Sequence, residues 1–236
     1  MYRSKNSCML LGDFNELWAE RWRDIMSATI TALRLQKHDK ERVNVFLDGE
    51  YAFSVSLNAA LALKRGQPLS QADVERLQRE DEVNRAYHHA LRMLGYRPRS
   101  RLEIERRLRQ KDYSAEAIDA AIEHLLTNQH LNDAAFAQSW LDNRERFRPR
   151  GARALRYELR QKGIDPSTIN DALTDLDEDA LAWAAVEGKI DRWRTLDQNT
   201  FRKKVMGFLS RRGFNYATVR TVCQRSWESI DQNEEV

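Results

Sequence analysis

At 236 residues the chain is long enough for one or two ordinary domains, or for a string of small units sharing a continuous core. Hydrophobic residues at 42%, four prolines and 32% charged residues argue against a disordered chain, and a net charge of only +3 confines any nucleic-acid role to local patches. Two cysteines, Cys8 and Cys223, lack metal-ligand spacing and read as reduced thiols, and no apolar run suits a signal peptide or a membrane span, so a soluble cytoplasmic protein is expected.

Residues 1–28 form an extension in which Phe14, Trp18, Trp22 and Ile25 follow helical spacing. An amphipathic helix docked on the body, a start-site artefact or a mobile leader would each account for it. Residues 29–82 then read as a small β-hairpin region with short helices. Three strands are expected, from Thr29 to Gln36, Arg42 to Leu47 and Glu50 to Val55, with His38-Asp39-Lys40 and Asp48-Gly49 as turns. Asp-Gly between β-prone runs is a strong two-residue hairpin signal. In that register Phe46 faces Tyr51 with Phe53 on the same side, beside a second face of Val43, Val45 and Leu47. Ser56 can cap a short helix stopping at Gly66, and Ser70 another with Asp73 at its third position.

From Val83 onward the pattern is helical and repeats about every 50 residues, predicting units at 83–133, 134–177 and 178–236, the last including the tail. Lys111-Asp112-Tyr113-Ser114, Lys162-Gly163-Ile164-Asp165 and Arg212-Gly213-Phe214-Asn215 carry the same joint. Its second residue tolerates a left-handed conformation, and its fourth is a helix N-cap. Tyr113, Ile164 and Phe214, with Ile118, Ile169 and Val219 beyond the caps, have the spacing of hydrophobic staples. Tyr96-Arg97-Pro98-Arg99 also reappears as Phe147-Arg148-Pro149-Arg150, and Leu108-Arg109-Gln110-Lys111 as Leu159-Arg160-Gln161-Lys162. The expected fold is mainly α: tandem three-helix repeats stacked in an elongated curved array, preceded by the small three-stranded β region.

The second unit is the most basic, with Arg144, Arg146, Arg148, Arg150, Arg153, Arg156, Arg160 and Lys162 against Glu145 and Glu158. On its middle helix Leu155 and Leu159 face the core, leaving Arg153, Arg156 and Arg160 as a stripe on the other side. In the first unit Glu103 can pair with Arg107 and Glu105 with Arg109, which would neutralise the corresponding face. The stripe therefore suits a phosphate or an acidic protein groove. DNA readout by the helices after the joints conflicts with Glu116, Asp119, Glu123, Asp171 and Asp175; Arg220 and Arg225 leave the third unit open.

Enzymatic readings find little support. The five histidines make no metal-ligand pattern, and no phosphate loop, nucleophile elbow or pair of catalytic carboxylates stands out. Asp175, Asp177, Glu178 and Asp179 read as a solvated linker or helix start, and Trp140, Trp183 and Trp193 as core. No catalytic site, metal or cofactor is expected.

The stretch Asn132-Asp133-Ala134-Ala135-Phe136-Ala137, with Trp140, Arg144, Arg148-Pro149-Arg150-Gly151 and Leu159-Arg160-Gln161-Lys162-Gly163-Ile164, resembles the signature of the RecX family of recombination regulators. The likeness spans about residues 29–228. It implies tandem three-helix repeats that lodge in the groove of a RecA filament on single-stranded DNA. It also implies a non-enzymatic inhibitor that limits filament growth, ATP hydrolysis and strand exchange, linking the protein to DNA repair and the SOS response. Arg148, Arg150, Arg153, Arg156 and Arg160 are then the expected RecA- and DNA-backbone contacts, joined by Lys162 at the helix end, and a monomer is expected. A stand-alone DNA-binding protein and a helical scaffold for some other acidic partner are the competing readings. Residues 1–28 have no counterpart in the family pattern, and Asp112 replaces the glycine expected at the first joint.

Overall fold

The computed structural model describes residues 27–37 and 39–234. The expectations for Cys8, Phe14, Trp18, Trp22, Ile25 and His38 lie outside the described residues. Among the described residues two compact units emerge: those up to His89 together with Lys111–Ala121, and Ala90–Gln110 together with those from Ile122 onward.

In the first of these, β1 (Ala28–Leu35), β2 (Arg42–Leu47) and β3 (Glu50–Ser56) form an antiparallel meander. Asp48 (φ 49°) and Gly49 (φ 93°) are both left-handed, the requirement of a type I′ hairpin turn. Val43, Val45 and Leu47 point inward and are buried with Ile30 and Val55, as alternation demands. Phe46 does meet Tyr51, edge to face with centroids 6.0 Å apart. Phe53 departs from expectation. A register shift between Val45 and Phe46 pairs Phe53 with Val45 and turns it into the core, away from the Phe46–Tyr51 face.

The helix after Ser56 is also shorter than expected. Ser56 caps α1 (Leu57–Ala60), but the chain leaves it after one turn because Gly66 and Gln67 bond to both backbone groups of Ile30. This seats a two-residue strand, β4 (Pro68–Leu69), on β1 and gives a four-stranded sheet of order β3-β2-β1-β4. Proline fits this edge position because no ladder partner needs its missing N–H. Ser70 and Asp73 then form a reciprocal capping box at the start of α2 (Gln71–Tyr96). From α2, buried Asp81 accepts from Arg42 at 2.9 Å and pairs with Arg85 at 3.1 Å, anchoring the helix to β2.

The remaining helices are α3 (Arg101–Arg109), α4 (Ala115–Thr127), α5 (Asp133–Phe147), α6 (Ala152–Gln161), α7 (Pro166–Leu173), α8 (Glu178–Trp193), α9 (Gln198–Arg211) and α10 (Tyr216–Glu234). The joints behave as their residues dictate: Asp112, Gly163 and Gly213 have φ of 60°, 78° and 86°. At the second and third joints the amides of Ile164 and Phe214 reach back to Leu159 and Leu209, closing Schellman motifs. Ser114, Asp165 and Asn215 each accept a bond from the following helix. Ile164 with Ile169 and Phe214 with Val219 are buried. Helices α5–α7 enclose Phe136, Leu141, Leu155, Leu159 and Ile169, while α8–α10 enclose Val186, Phe201, Val205, Leu209 and Val222.

The helical units dock through a contact that itself repeats. The joint at the end of α6 sits on the start of α3, where the Ser100 hydroxyl donates to the Lys162 carbonyl at 2.7 Å. The joint at the end of α9 sits on the start of α6, where the Gly151 amide donates to the Arg212 carbonyl at 3.1 Å. First-residue carboxylates of the leading helices complete the pattern. Asp133 accepts from the Arg101 amide at 2.9 Å and Glu178 from the Ala152 amide at 2.5 Å, satisfying donors that every helix start leaves open.

Candidate functional site

Helix α6 displays the basic stripe. Leu155 and Leu159 are 1% and 0% exposed, which forces Arg153, Arg156 and Arg160 onto the opposite side. Arg153 and Arg160 are exposed and Arg156 half-buried. Arg153 donates to the Ser210 carbonyl at 3.2 Å. Among the described residues no carboxylate pairs with Arg148, Arg153, Arg156 or Arg160, so their charge is open to a partner.

Arg150 and Lys162 stand differently, because each is paired with a carboxylate. Glu158 collects the Trp140 indole N–H at 2.8 Å, Arg144 at 2.7 Å and Arg150 at 3.0 Å, with its own side chain 15% exposed. Arg144 also lies 4.5 Å from the Trp140 ring centroid. Lys162 pairs with Glu103 at 2.5 Å and lies 4.9 Å from the same ring centroid. One carboxylate thus organises the tryptophan and two arginines, while another ties the α6 C-terminus to α3. Sequence spacing could not find Glu158 in this role, because its partners come from α5 and the loop before α6.

The expected Glu103–Arg107 and Glu105–Arg109 pairs do not form. Glu103 turns to Arg97 at 2.9 Å and to Lys162, and Glu105 to Arg101 at 2.8 Å. Arg107 instead donates to Gln110 at 3.2 Å. Glu103, 16% exposed, prefers these partners because two cations, the half-buried Lys162 and the exposed Arg97, outweigh one exposed pair on its own helix. Burial pushes its carboxyl upward, but the bonds from Lys162 and Arg97 more than offset this and hold it below the usual glutamate value. The α3 surface is therefore less neutralised than expected and the α6 surface more so.

Arg212 is a further basic residue whose position emerges only in the fold. It donates to the Pro149 carbonyl at 3.0 Å and lies 4.5 Å from the Phe208 ring centroid. Burial, then the charges of Arg150 and Arg148, push its guanidinium below the ordinary arginine value, though it remains charged at neutral pH. Arg148, Arg150 and Arg212 thus meet where α9 docks on α6. The Arg212-for-Lys162 equivalence in the repeat was the one sequence signal for this.

Glu116, Asp119, Glu123, Asp171 and Asp175 are exposed along or just beyond the helices after the first two joints, an arrangement that repels phosphate. Of the acidic run, Asp177 caps α8 through the Ala180 amide, and Glu178 bonds both Ala152 and Asn215 rather than solvent alone. Trp140, Trp183 and Trp193 lie half-buried at the margins of the cores. Among the described residues no group of three or more His, Cys, Asp or Glu side chains could hold a metal, and no helix is long and apolar enough to cross a membrane.

Known proteins share this order of domains. Four family models match in chain order: the regulatory protein RecX N-terminal domain at residues 28–70, and the first, second and third RecX three-helix domains at 86–125, 132–173 and 177–223. The chain is 32% identical to regulatory protein RecX of Bacillus subtilis, covering 87% of this chain and 80% of that protein. It is 30% identical to the Clostridium botulinum protein of the same description, covering 84% and 96%. A crystal structure of regulatory protein RecX superposes with a TM-score of 0.70 at 28% identity, covering 83% of this chain and 98% of that one. RecX from Lactobacillus salivarius gives 0.57 at 26% identity, covering 62% and 97%.

Proposed function

Because the chain belongs to the RecX family of regulatory proteins, we propose that it is a negative regulator of the RecA recombinase. It binds in the groove of the RecA filament on single-stranded DNA and limits filament growth, ATP hydrolysis and strand exchange. It acts in the cytoplasm, without catalysis of its own. The observation that carries this reading is the α6 stripe, in which Arg153, Arg156 and Arg160 lack carboxylate partners among the described residues. Arg148, also without a carboxylate partner among the described residues, adjoins Pro149, whose carbonyl accepts from Arg212. Arg150 and Lys162 belong to the same surface but are held by Glu158 and Glu103, so they set its geometry as well as its charge.

Arg153→Glu with Arg156→Glu tests the assignment. Both side chains lie opposite the core, so the helical circular dichroism should be unchanged while inhibition of RecA-driven ATP hydrolysis is lost. Full inhibition by the folded double variant would sink it. The clustering of Arg148, Arg150 and Arg212 also favours a second reading, a DNA-binding protein that acts without RecA. Gel shifts across a salt series, with and without RecA, separate the two, because phosphate contacts weaken steeply with salt.

A further inference from the structure

The third helical unit carries a surface to which the α6 stripe assigns no role. An open cleft of about 390 Å³ between the end of α8 and helix α9 is lined by Trp193, Thr200, Lys203, Lys204, Phe208 and Arg211. Trp193 and Phe208 meet edge to face with centroids 5.7 Å apart. Both are half-buried, packed on the α8–α10 core while also lining the cleft. Lys189 and Arg212 lie 5.3 and 4.5 Å from the Phe208 centroid. Lys203, Lys204 and Arg211 are exposed, none pairs with a carboxylate among the described residues, and no carboxylate lines the cleft. Arg212, which lies over the Phe208 ring and donates to the Pro149 carbonyl, links the cleft to the loop that carries Arg148 and Arg150.

We propose that this cleft binds single-stranded nucleic acid, with a base stacked on Trp193 and the phosphodiester backbone held by Lys203, Lys204 and Arg211. The assignment builds on the DNA side of the proposed function but needs no RecA. Two features select this ligand. Cations alone would suit any acidic chain, whereas an aromatic surface set among them offers a base and its phosphate a partner at once. A duplex keeps its base faces stacked on one another, so the indole discriminates in favour of single strands.

Fluorescence anisotropy of the full chain, without RecA, on a labelled oligothymidylate and on a duplex of equal length tests the proposal. Trp193→Ala should weaken single-strand binding about tenfold and leave duplex binding unchanged. Lys203→Glu with Lys204→Glu, at exposed positions that leave the fold intact, should lower the slope of log affinity against log salt by about 0.7 for each phosphate that is no longer neutralised. Wild-type single-strand affinity in either variant, or equal weakening on both nucleic acids in Trp193→Ala, would overturn it. So would displacement of the oligonucleotide by polyglutamate at equal charge, which would assign the cleft to an acidic protein. Inhibition of RecA ATP hydrolysis by the Arg153→Glu, Arg156→Glu variant is a separate readout, so failure of one reading is distinguishable from failure of the other.

Discussion

The hydroxyl of Ser100 donates to the Lys162 carbonyl at 2.7 Å and accepts from the Glu103 amide at 3.3 Å, so one fully buried side chain caps α3 and closes the end of α6. Ser100→Ala removes both bonds and leaves a helix-end carbonyl without its donor. A loss of about 1–3 kcal/mol in unfolding free energy is expected, read as a lower urea midpoint at unchanged m-value.

The joints differ in what their second residue must satisfy. At Gly213 a Cβ would lie 2.5 Å from the Ala154 Cβ and 2.6 Å from its amide nitrogen, in addition to the φ of +86°. Gly213→Ala should therefore cost about 2–5 kcal/mol, combining left-handed strain with a clash against a docked helix. Asp112 already occupies φ 60° and is exposed, so Asp112→Gly should change stability by less than about 1 kcal/mol. Comparable losses in the two variants, measured by urea denaturation, would contradict the docking argument.

Glu158 holds Trp140, Arg144 and Arg150 together. Glu158→Gln keeps the shape but withdraws the charge from two partly buried guanidiniums, and should destabilise by about 1–3 kcal/mol. The Trp140 environment should also change, so near-ultraviolet circular dichroism gives a second reading of the same loss.

Glu103 and Asp133 give opposite dependences on pH. The folded-state value of Glu103 lies below its unfolded one, so its contribution is present above the usual glutamate range and is lost as pH falls through the lowered folded value. Burial pushes Asp133 the other way, against the bond from the Arg101 amide. Its ionised form therefore opposes folding at neutral pH, and that opposition is relieved as pH falls through the raised folded value. Glu103→Gln should flatten the acid limb of a stability profile. Asp133→Asn keeps the acceptor for Arg101 and should be at least as stable as wild type at neutral pH. A profile in which Glu103→Gln loses stability as steeply in acid as wild type would refute the first expectation.

Local rules were legible in the residues. Asp48-Gly49 specifies its turn, Ser70 with Asp73 its capping box, and each joint its left-handed residue and cap, because these depend on neighbours within five positions. Leu155 and Leu159 likewise set which side of α6 bears Arg153, Arg156 and Arg160. The first errors appear one step further out: Phe53 changes face because of a register shift between paired strands, and the Ser56 helix ends early because β1 recruits Gly66 to Leu69.

The sequence by itself determined the repeated helix-joint-helix unit, its buried stripes and the placement of the α6 arginines, all fixed by short-range periodicity and capping. Only the tertiary structure decided which of those charges remain available. A carboxylate reaches any cation that folding brings within a few ångströms, so Glu103 abandons its own helix for Lys162 and Arg97, while Glu158 gathers Arg144 and Arg150. Helical spacing ranks partners along one element. Packing of helices and loops, within a unit for Arg97, Arg144 and Arg150 and between units for Lys162, supplies competitors that spacing cannot count, and the partial burial of the two carboxylates makes those longer-range pairs prevail.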